Sequence, residues 1–171
     1  MDTLTIASRA EALRESEAQL AWRIYIQVSS ELQEFLNTHL KDDFNLGLAD
    51  YQLLLILAEA PGFRMRLGEL ADRMVFSRAR LSYQVRQLVA RGLIIRQLIA
   101  SDGRGACAVL TASGLELFRE VSRTHMRLVR QHFLRFVEPG DAAVLSRLFK
   151  NVAASLDAGA GETDSESKLL S

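Results

Sequence analysis

The sequence predicts a mainly α-helical fold with one small β-hairpin. Apolar residues recur every three or four positions over most of the 171 residues, which is the spacing of amphipathic helices. Two runs with strand character, Leu93–Ile99 and Ala106–Leu110, flank the turn-forming residues 101–105, an arrangement typical of a hairpin. Apolar residues make up 49% of the chain, which is enough to bury a core of ordinary size.

The N-terminal third predicts a long helix followed by a short buried one. Helical spacing of apolar residues continues from Ala12 to Leu40, and Asp42–Gly47 indicates a connection. The run Asp50–Ala60 is largely Leu, Ile and Ala, which favours a short helix inside the core. The Pro-Gly pair at 61–62 ends this helix, because proline cannot continue a helix and glycine tolerates unusual backbone angles.

Two short helices are expected next, directly before the hairpin. Leu67–Met74 places its apolar residues on one helix face, and Ser77 is a favourable N-cap for a second helix that runs to Arg91. Gly92 follows as a C-terminal stop. Two short helices joined by a short turn form a helix-turn-helix, and the hairpin after it would be a wing. The predicted architecture is therefore a winged helix-turn-helix.

The C-terminal part predicts two more helices and a tail. Thr111 caps a long helix whose apolar spacing continues to Phe136, and the Pro-Gly pair at 139–140 breaks it. Residues 144–156 continue as another helix, whereas residues 157–171 are small, polar and acidic, which predicts a disordered tail. The long terminal helices present apolar stripes that a small winged helix cannot cover alone, so we expect a homodimer.

The charges are unevenly distributed along a chain whose formal net charge is zero. The segment from Arg64 to Arg104 contains nine arginines and three acids, a net charge of +6, so the rest of the chain carries −6. A basic middle between acidic ends is typical of a nucleic-acid contact surface, and arginine suits bidentate contact with phosphate or guanine. A genome that prefers arginine is the alternative explanation.

The helix that begins after Ser77 has the composition of a recognition helix. If Leu81, Val85 and Leu88 face the core, the opposite face carries Ala, Ser, Tyr and Arg residues and no acid. A helix that enters the major groove needs small residues, guanidinium groups and hydroxyls on that face, whereas an ordinary solvated helix usually mixes Glu and Lys. Arg78, in the first turn, is better placed for a backbone phosphate. The predicted DNA-binding residues are Ser77, Arg78, Arg80, Ser82, Tyr83 and Arg86.

The hairpin turn adds a second predicted contact. Arg104 at the tip could enter the minor groove, where narrow A·T tracts concentrate negative potential. Asp102, two residues away, could hold the guanidinium in a fixed orientation. A simple charged turn is the alternative, because Asp-Gly is a common turn pair.

The remaining candidates for metal, effector or catalytic sites are better explained as packing residues. His125 and His132 are two helical turns apart, too far for one ion, and no cluster of ligands accompanies them or His39, so we expect no metal and no cofactor. Trp22 and Tyr25 could line an effector pocket, although such aromatics more often pack in an interface. There is no phosphate-binding loop and no nucleophile with a placed base, so we expect no enzyme activity.

The number of cysteines and the lengths of the apolar runs indicate the cellular compartment in which the protein works. Cys107 is the single cysteine, so no disulfide can form within the chain, and a strand cysteine is more often a small packing residue than a redox sensor. No apolar run approaches the roughly 20 residues that span a bilayer. We expect a cytoplasmic protein.

An ordered set of segments resembles the MarR (multiple antibiotic resistance regulator) family over residues 12–156. The segments are Tyr51–Leu57, Leu67–Asp72, Ser77–Ser82, Gln87–Ile94, Asp102–Arg104 and Leu110–Gly114. The resemblance implies a triangular dimer with intertwined terminal helices, and the recognition-helix and wing roles given above. It also implies repression, or less often activation, of nearby genes, relieved by a small ligand or by oxidation. Many relatives carry more basic residues where Gly105 and Ala106 follow the wing arginine, so we expect this wing to add less affinity than theirs.

The combined prediction is a sequence-specific DNA-binding regulator, a repressor that acts as a homodimer on an inverted repeat and is released by a small-molecule effector. Its recognition helices would sit about 34 Å apart, one turn of DNA. The expected domains are dimerisation helices at 12–45 and 113–156, a winged helix-turn-helix DNA-binding domain at 46–112, and the tail at 157–171. The alternatives are a helical scaffold that dimerises or binds protein without DNA, and an enzyme that acts on a small apolar molecule.

Overall fold

The computed structural model describes the backbone of residues 3–98 and 105–169, with side chains from residue 16 to 156 outside the gap. The described residues are mostly helical and include three short strands, which confirms the predicted fold class. The elements are α1 (Thr3–Phe44), α2 (Leu48–Glu59), β1 (Arg64–Arg66), α3 (Leu67–Met74), α4 (Arg78–Ala90), β2 (Ile94–Leu98), β3 (Ala106–Leu110), α5 (Ala112–His132) and α6 (Asp141–Leu169), with 3-10 turns at Pro61–Phe63 and Leu134–Phe136.

The strands form an antiparallel sheet in the order β1-β3-β2. Ile94 lies opposite Leu110 in the hairpin, and Met65 of β1 lies opposite Ala108. The sequence predicted the hairpin as the only β structure, and β1 corrects this prediction. A strand of three residues, in which only Met65 is buried, is too short to produce a recognisable alternation.

The core lies between α2, α3, α4 and the sheet, with α5 closing one side. The side chains of Leu53, Leu57, Leu70, Leu88 and Ile94 are fully buried. In α4 the buried residues are Leu81, Val85 and Leu88, as the sequence predicted. This packing orients α4, because one face is held by the core and the other faces solvent.

Side-chain caps define the helix starts that the sequence indicated. The hydroxyl of Ser77 accepts a hydrogen bond of 3.2 Å from the N–H of Arg80, and the hydroxyl of Thr111 accepts one of 3.0 Å from the N–H of Gly114. Helix α5 ends at His132 and not at Phe136 as predicted. The apolar spacing misled the prediction because a 3-10 turn also places residues three apart on one side.

Gly114 allows the start of α5 to lie directly against the start of β2. A Cβ atom at this position would be 2.0 Å from the carbonyl oxygen of Leu93, far inside contact distance. The hydroxyl of Thr111 lies within hydrogen-bonding distance of the carbonyl oxygens of Gly92 and Leu93, at 2.8 Å and 3.0 Å. The first turn of α5 therefore packs on the backbone that follows α4.

Chain contacts divide the protein into two units, Met1–Leu128 and Val129–Ser171. The second unit contains the Leu134–Phe136 turn and α6. The helix α6 continues to Leu169, through most of the segment for which composition predicted disorder. Ala, Glu, Lys and Leu in that segment are good helix formers, and the prediction gave more weight to its low hydrophobicity. Within the described residues, no helix is long and apolar enough to cross a membrane.

Candidate nucleic-acid interface

The solvent-facing side of α4 carries all six recognition-helix residues predicted from the sequence. Ser77, Arg78, Arg80, Ser82, Tyr83 and Arg86 are each exposed. They occupy the cap, the first turn and the face opposite the buried Leu81 and Val85. The helix contains no acidic residue, so this face is uniformly basic or neutral.

The N-terminal end of α4 has a positive electrostatic character. Ser77 caps one backbone N–H, and the first turn contains no acid that would offset the helix dipole. The N–H groups of Arg78 and Ala79 have no intrahelical acceptor at this position of a helix. Together with the Arg78 guanidinium, they make the end of the helix attractive to an anion.

Arg80 and Arg86, two of the three arginines on this face, are held differently. The Arg80 guanidinium carbon lies 3.9 Å from the centre of the Phe76 ring, a cation–π contact that restricts its side chain. Arg86 makes no hydrogen bond or ion pair with another residue in the described part of the chain. Tyr83 between them has 54% of its side chain exposed. The face thus combines one oriented guanidinium with one that can adapt to a ligand.

Polar contacts tie α4 and the residue that follows it to α1 and α2. Arg91 donates from its guanidinium to the main-chain carbonyl of Phe44, at 3.2 Å, and to that of Asn45. The amide of Gln84 donates to the carboxylate of Asp50, the acid in the first turn of α2. Arg91 was counted with the basic segment, but the structure places it in an anchoring contact. No local pattern signals this role, because the carbonyls lie 46 and 47 positions away in the chain.

The predicted wing residues Asp102 and Arg104 lie outside the described residues. The strands that flank them are described, and Leu98 lies opposite Ala106 at the end of the hairpin ladder. Gly92, with a φ angle of 69°, makes the sharp turn from α4 into β2. The hairpin therefore begins directly beside the C-terminal end of the candidate recognition helix.

Trp22 and Tyr25 lie together on the exposed surface of α1. Their ring centroids are 5.9 Å apart, and the two side chains are 61% and 43% exposed. Further large apolar residues of α1 are exposed around them: Leu20, Ile24, Ile26 and Val28. Exposed apolar side chains therefore surround this part of α1 and are not confined to one face.

The three histidines are placed separately or in packing contacts. The Nδ1 atom of His39 lies 2.8 Å from the carbonyl oxygen of Phe35. The His125 ring packs on Tyr51 with centroids 4.4 Å apart, and burial lowers the pKa of His125. Cys107 is half-buried in β3, opposite Gln97. Among the described residues, no group of three or more His, Cys, Asp or Glu side chains could hold a metal ion.

The chain is similar to known regulators. The model of the MarR family matches residues 44–105. AbsC, a MarR family transcriptional regulator from Streptomyces coelicolor, is 37% identical, with a TM-score of 0.78, and the match covers 82% of this chain and 94% of AbsC. Sco3205, a MarR family regulator from the same organism solved in complex with DNA, is 35% identical, with a TM-score of 0.79, over 82% of this chain and 88% of Sco3205.

A more distant structure shares the fold alone. A mutant of MarR from E. coli complexed with operator DNA is 20% identical, with a TM-score of 0.68, over 80% of this chain and 95% of that one. No curated protein matches the chain.

Proposed function

Because the chain belongs to the MarR family of transcriptional regulators, we propose that it represses transcription as a homodimer bound to an inverted-repeat operator and is released by a small-molecule effector. Members of this family are transcriptional regulators, and the chain is accordingly a regulator and not an enzyme. The observation that carries the proposal is the exposed, acid-free face of α4, which presents three arginines, two serine hydroxyls and a tyrosine.

The residues of this face divide into two roles. Arg78 and the capped end of the helix at Ser77 contact backbone phosphates, which position the protein without reading sequence. Arg80 and Arg86 read guanine edges in the major groove; Ser82 and Tyr83 contribute hydroxyl and ring contacts to neighbouring bases. The complex of Sco3205 with DNA supports this assignment, since that protein shares the fold and is 35% identical.

The wing supplies the second contact in this proposal. Arg104 inserts into the minor groove beside the recognition helix, and Asp102 holds its guanidinium. Gly105 and Ala106 add no charge after it, so most of the affinity comes from α4 and the base of the hairpin.

The exposed apolar surfaces support the homodimer. Trp22, Ile24 and Val28 of α1 are each more than half exposed, a state that is costly for large apolar groups in water. The second unit, taken by itself, exposes Phe136, Val144, Leu148 and Leu156. We assign residues 12–45 and 113–156 to dimerisation and residues 46–112 to DNA binding. A symmetric dimer then places two recognition helices about 34 Å apart.

The effector site belongs to the same surface of α1. The aromatic pair of Trp22 and Tyr25 offers two ring faces to an apolar or aromatic molecule. A ligand held there would lie at the dimer interface and could change the spacing of the two recognition helices. A regulator of chromosomal genes would act in the cytoplasm.

Genomic capture tests the proposal. The purified protein is mixed with sheared DNA from its source organism at moderate salt, and the retained fragments are sequenced. Fragments that share an inverted repeat support the regulator. Enrichment without a shared motif contradicts base reading by Arg80 and Arg86. No enrichment at either moderate or low salt favours the alternative of a scaffold that dimerises or binds protein, because a DNA-binding surface must show salt-dependent affinity.

A further inference from the structure

A basic cleft lies between α3, the start of α4 and the sheet. Its volume is about 430 Å³, and arginines from three different elements line it: Arg66 from β1, Arg78 from α4 and Arg96 from β2. Glu69, in the first turn of α3, is the acid in its lining. Neither Arg66 nor Arg96 was among the DNA-binding residues predicted from the sequence. The cleft therefore adds positive charge from the sheet at the edge of the outward face of α4.

The strand register explains why Arg96 faces this cleft. Ile94 lies opposite Leu110 and Arg96 lies opposite Ala108, so both project from the sheet face that carries the buried residues of β3. Ile94 is fully buried, whereas Arg96 is exposed. Arg96 therefore lies on the same face of the sheet as the core residue Ile94, but at the point where that face borders the cleft.

The two arginines on either side of the cleft are available to a ligand. Within the described residues, neither Arg78 nor Arg96 makes a hydrogen bond or ion pair with another side chain. The first turn of α4 adds backbone N–H groups and the positive end of the helix dipole. An anion placed between α4 and β2 would thus be neutralised from both sides.

We infer that the cleft holds one phosphodiester of the DNA backbone, clamped between Arg78 and Arg96, an inference that rests on the proposed function. Ser82 lines the cleft and also belongs to the outward face of α4, so the cleft opens on the surface that would enter the major groove. Exposed guanidinium groups bind a single hydrated anion weakly. A duplex held by the rest of α4 keeps its phosphates at high local concentration, which favours the phosphodiester over free phosphate.

The clamp joins the recognition helix to the wing strand through one phosphate. Such a contact carries no sequence information, but it sets the depth and register of α4 along the groove. Removing it weakens binding to all duplexes alike and leaves the preference among sequences unchanged.

The salt dependence of DNA binding tests this inference. Affinity of the full chain for a labelled duplex of arbitrary sequence is measured over a series of chloride concentrations, for wild type and for the double variant Arg78→Gln/Arg96→Gln. Loss of one phosphate contact is expected to reduce the slope of log affinity against log salt by about 0.9. Because both arginines hold the same phosphate, the double variant should lose about 0.9 and not about 1.8.

Matched controls separate the clamp from a general loss of charge. The variant Arg9→Gln/Lys168→Gln removes two positive charges that lie outside the segments assigned to dimerisation and DNA binding, and it should keep the wild-type slope. A double variant with the wild-type slope overturns the clamp and also the phosphate role given to Arg78. A loss of about 1.8 overturns only the sharing of one phosphate. In both cases DNA binding by the other residues of α4 stands. Wild-type protein without salt-dependent binding would overturn both the clamp and the proposed function.

Inorganic phosphate distinguishes the two sources of the anion. At constant ionic strength, replacing chloride by phosphate should leave the affinity of wild type for the duplex unchanged. If phosphate weakens DNA binding by wild type but not by the double variant, the cleft is a site for the free anion, and the assignment to DNA is overturned.

Discussion

The guanidinium of Arg91, at the C-terminal end of α4, donates a hydrogen bond of 3.2 Å to the main-chain carbonyl of Phe44, the last residue of α1. A second bond from the same group reaches the carbonyl of Asn45. These carbonyls end a helix and have no intrahelical partner, so the arginine satisfies them. The contact joins the proposed recognition helix to the proposed dimerisation helix. A change in the position of α1 would therefore be transmitted to α4 at this point.

Replacing Arg91 by alanine should loosen this connection. Because the contact is solvent-exposed, we expect a loss of about 1 kcal/mol in the free energy of unfolding. Urea unfolding of wild type, Arg91→Ala and Arg119→Ala measures it; the last variant removes an exposed arginine of α5 as a control. An Arg91→Ala variant as stable as Arg119→Ala would show that the anchor contributes nothing measurable.

Arg86 is expected to read a base and not only the backbone. Its side chain is exposed on the outward face of α4, two turns after the capped end. Arg86→Ala should weaken binding to the captured operator by about 1–3 kcal/mol and reduce discrimination at one base position. Competition binding with operator variants measures both effects. Equal discrimination by wild type and variant would mean that the base-reading face is misassigned.

Gly114 should tolerate no side chain. The Cβ atom of an alanine would lie 2.0 Å from the carbonyl oxygen of Leu93, and backbone must move to relieve the clash. We expect Gly114→Ala to reduce the free energy of unfolding by about 3 kcal/mol, as for overpacking in a close-packed core.

Gly68 offers a matched control for this prediction. It also lies inside a helix, but an added Cβ meets nothing within 4 Å, so Gly68→Ala should be neutral or stabilising by up to about 1 kcal/mol. Thermal unfolding of both variants makes the comparison. Similar melting temperatures for the two would contradict the close approach between α5 and β2.

Local signals in the sequence were sufficient to predict the bounds of the elements that lie next to strong helix caps. Leu67–Met74 and Ala106–Leu110 have the predicted bounds, and Ser77 and Thr111 cap the helices that follow them. The exposed face of α4 was predictable because helical periodicity separates buried from solvent-facing positions.

Features that depend on distant contacts could not be predicted. The strand β1 exists because Arg64–Arg66 pairs with β3, more than forty positions later in the chain. The same is true of Arg91, whose partners are the last residue of α1 and the residue after it, and of Arg96, whose orientation follows from its pairing with Ala108. In the sequence these arginines belong to one basic segment. In the folded protein they have separate roles, because each packs in a different place.

His125 should make the protein less stable in mild acid. Its ring packs on Tyr51, its Nδ1 atom is buried with no hydrogen-bond partner in the described part of the chain, and burial lowers its pKa. The unfolded chain, with the ordinary pKa of about 6.5, then binds the proton more readily than the folded chain, so stability falls as pH decreases through this range. Unfolding free energies at about pH 7.5 and about pH 5.5 measure the loss. His125→Phe keeps a ring against Tyr51 but cannot titrate, so it should lose less stability between the two conditions; an equal loss in both proteins would show that another group is responsible.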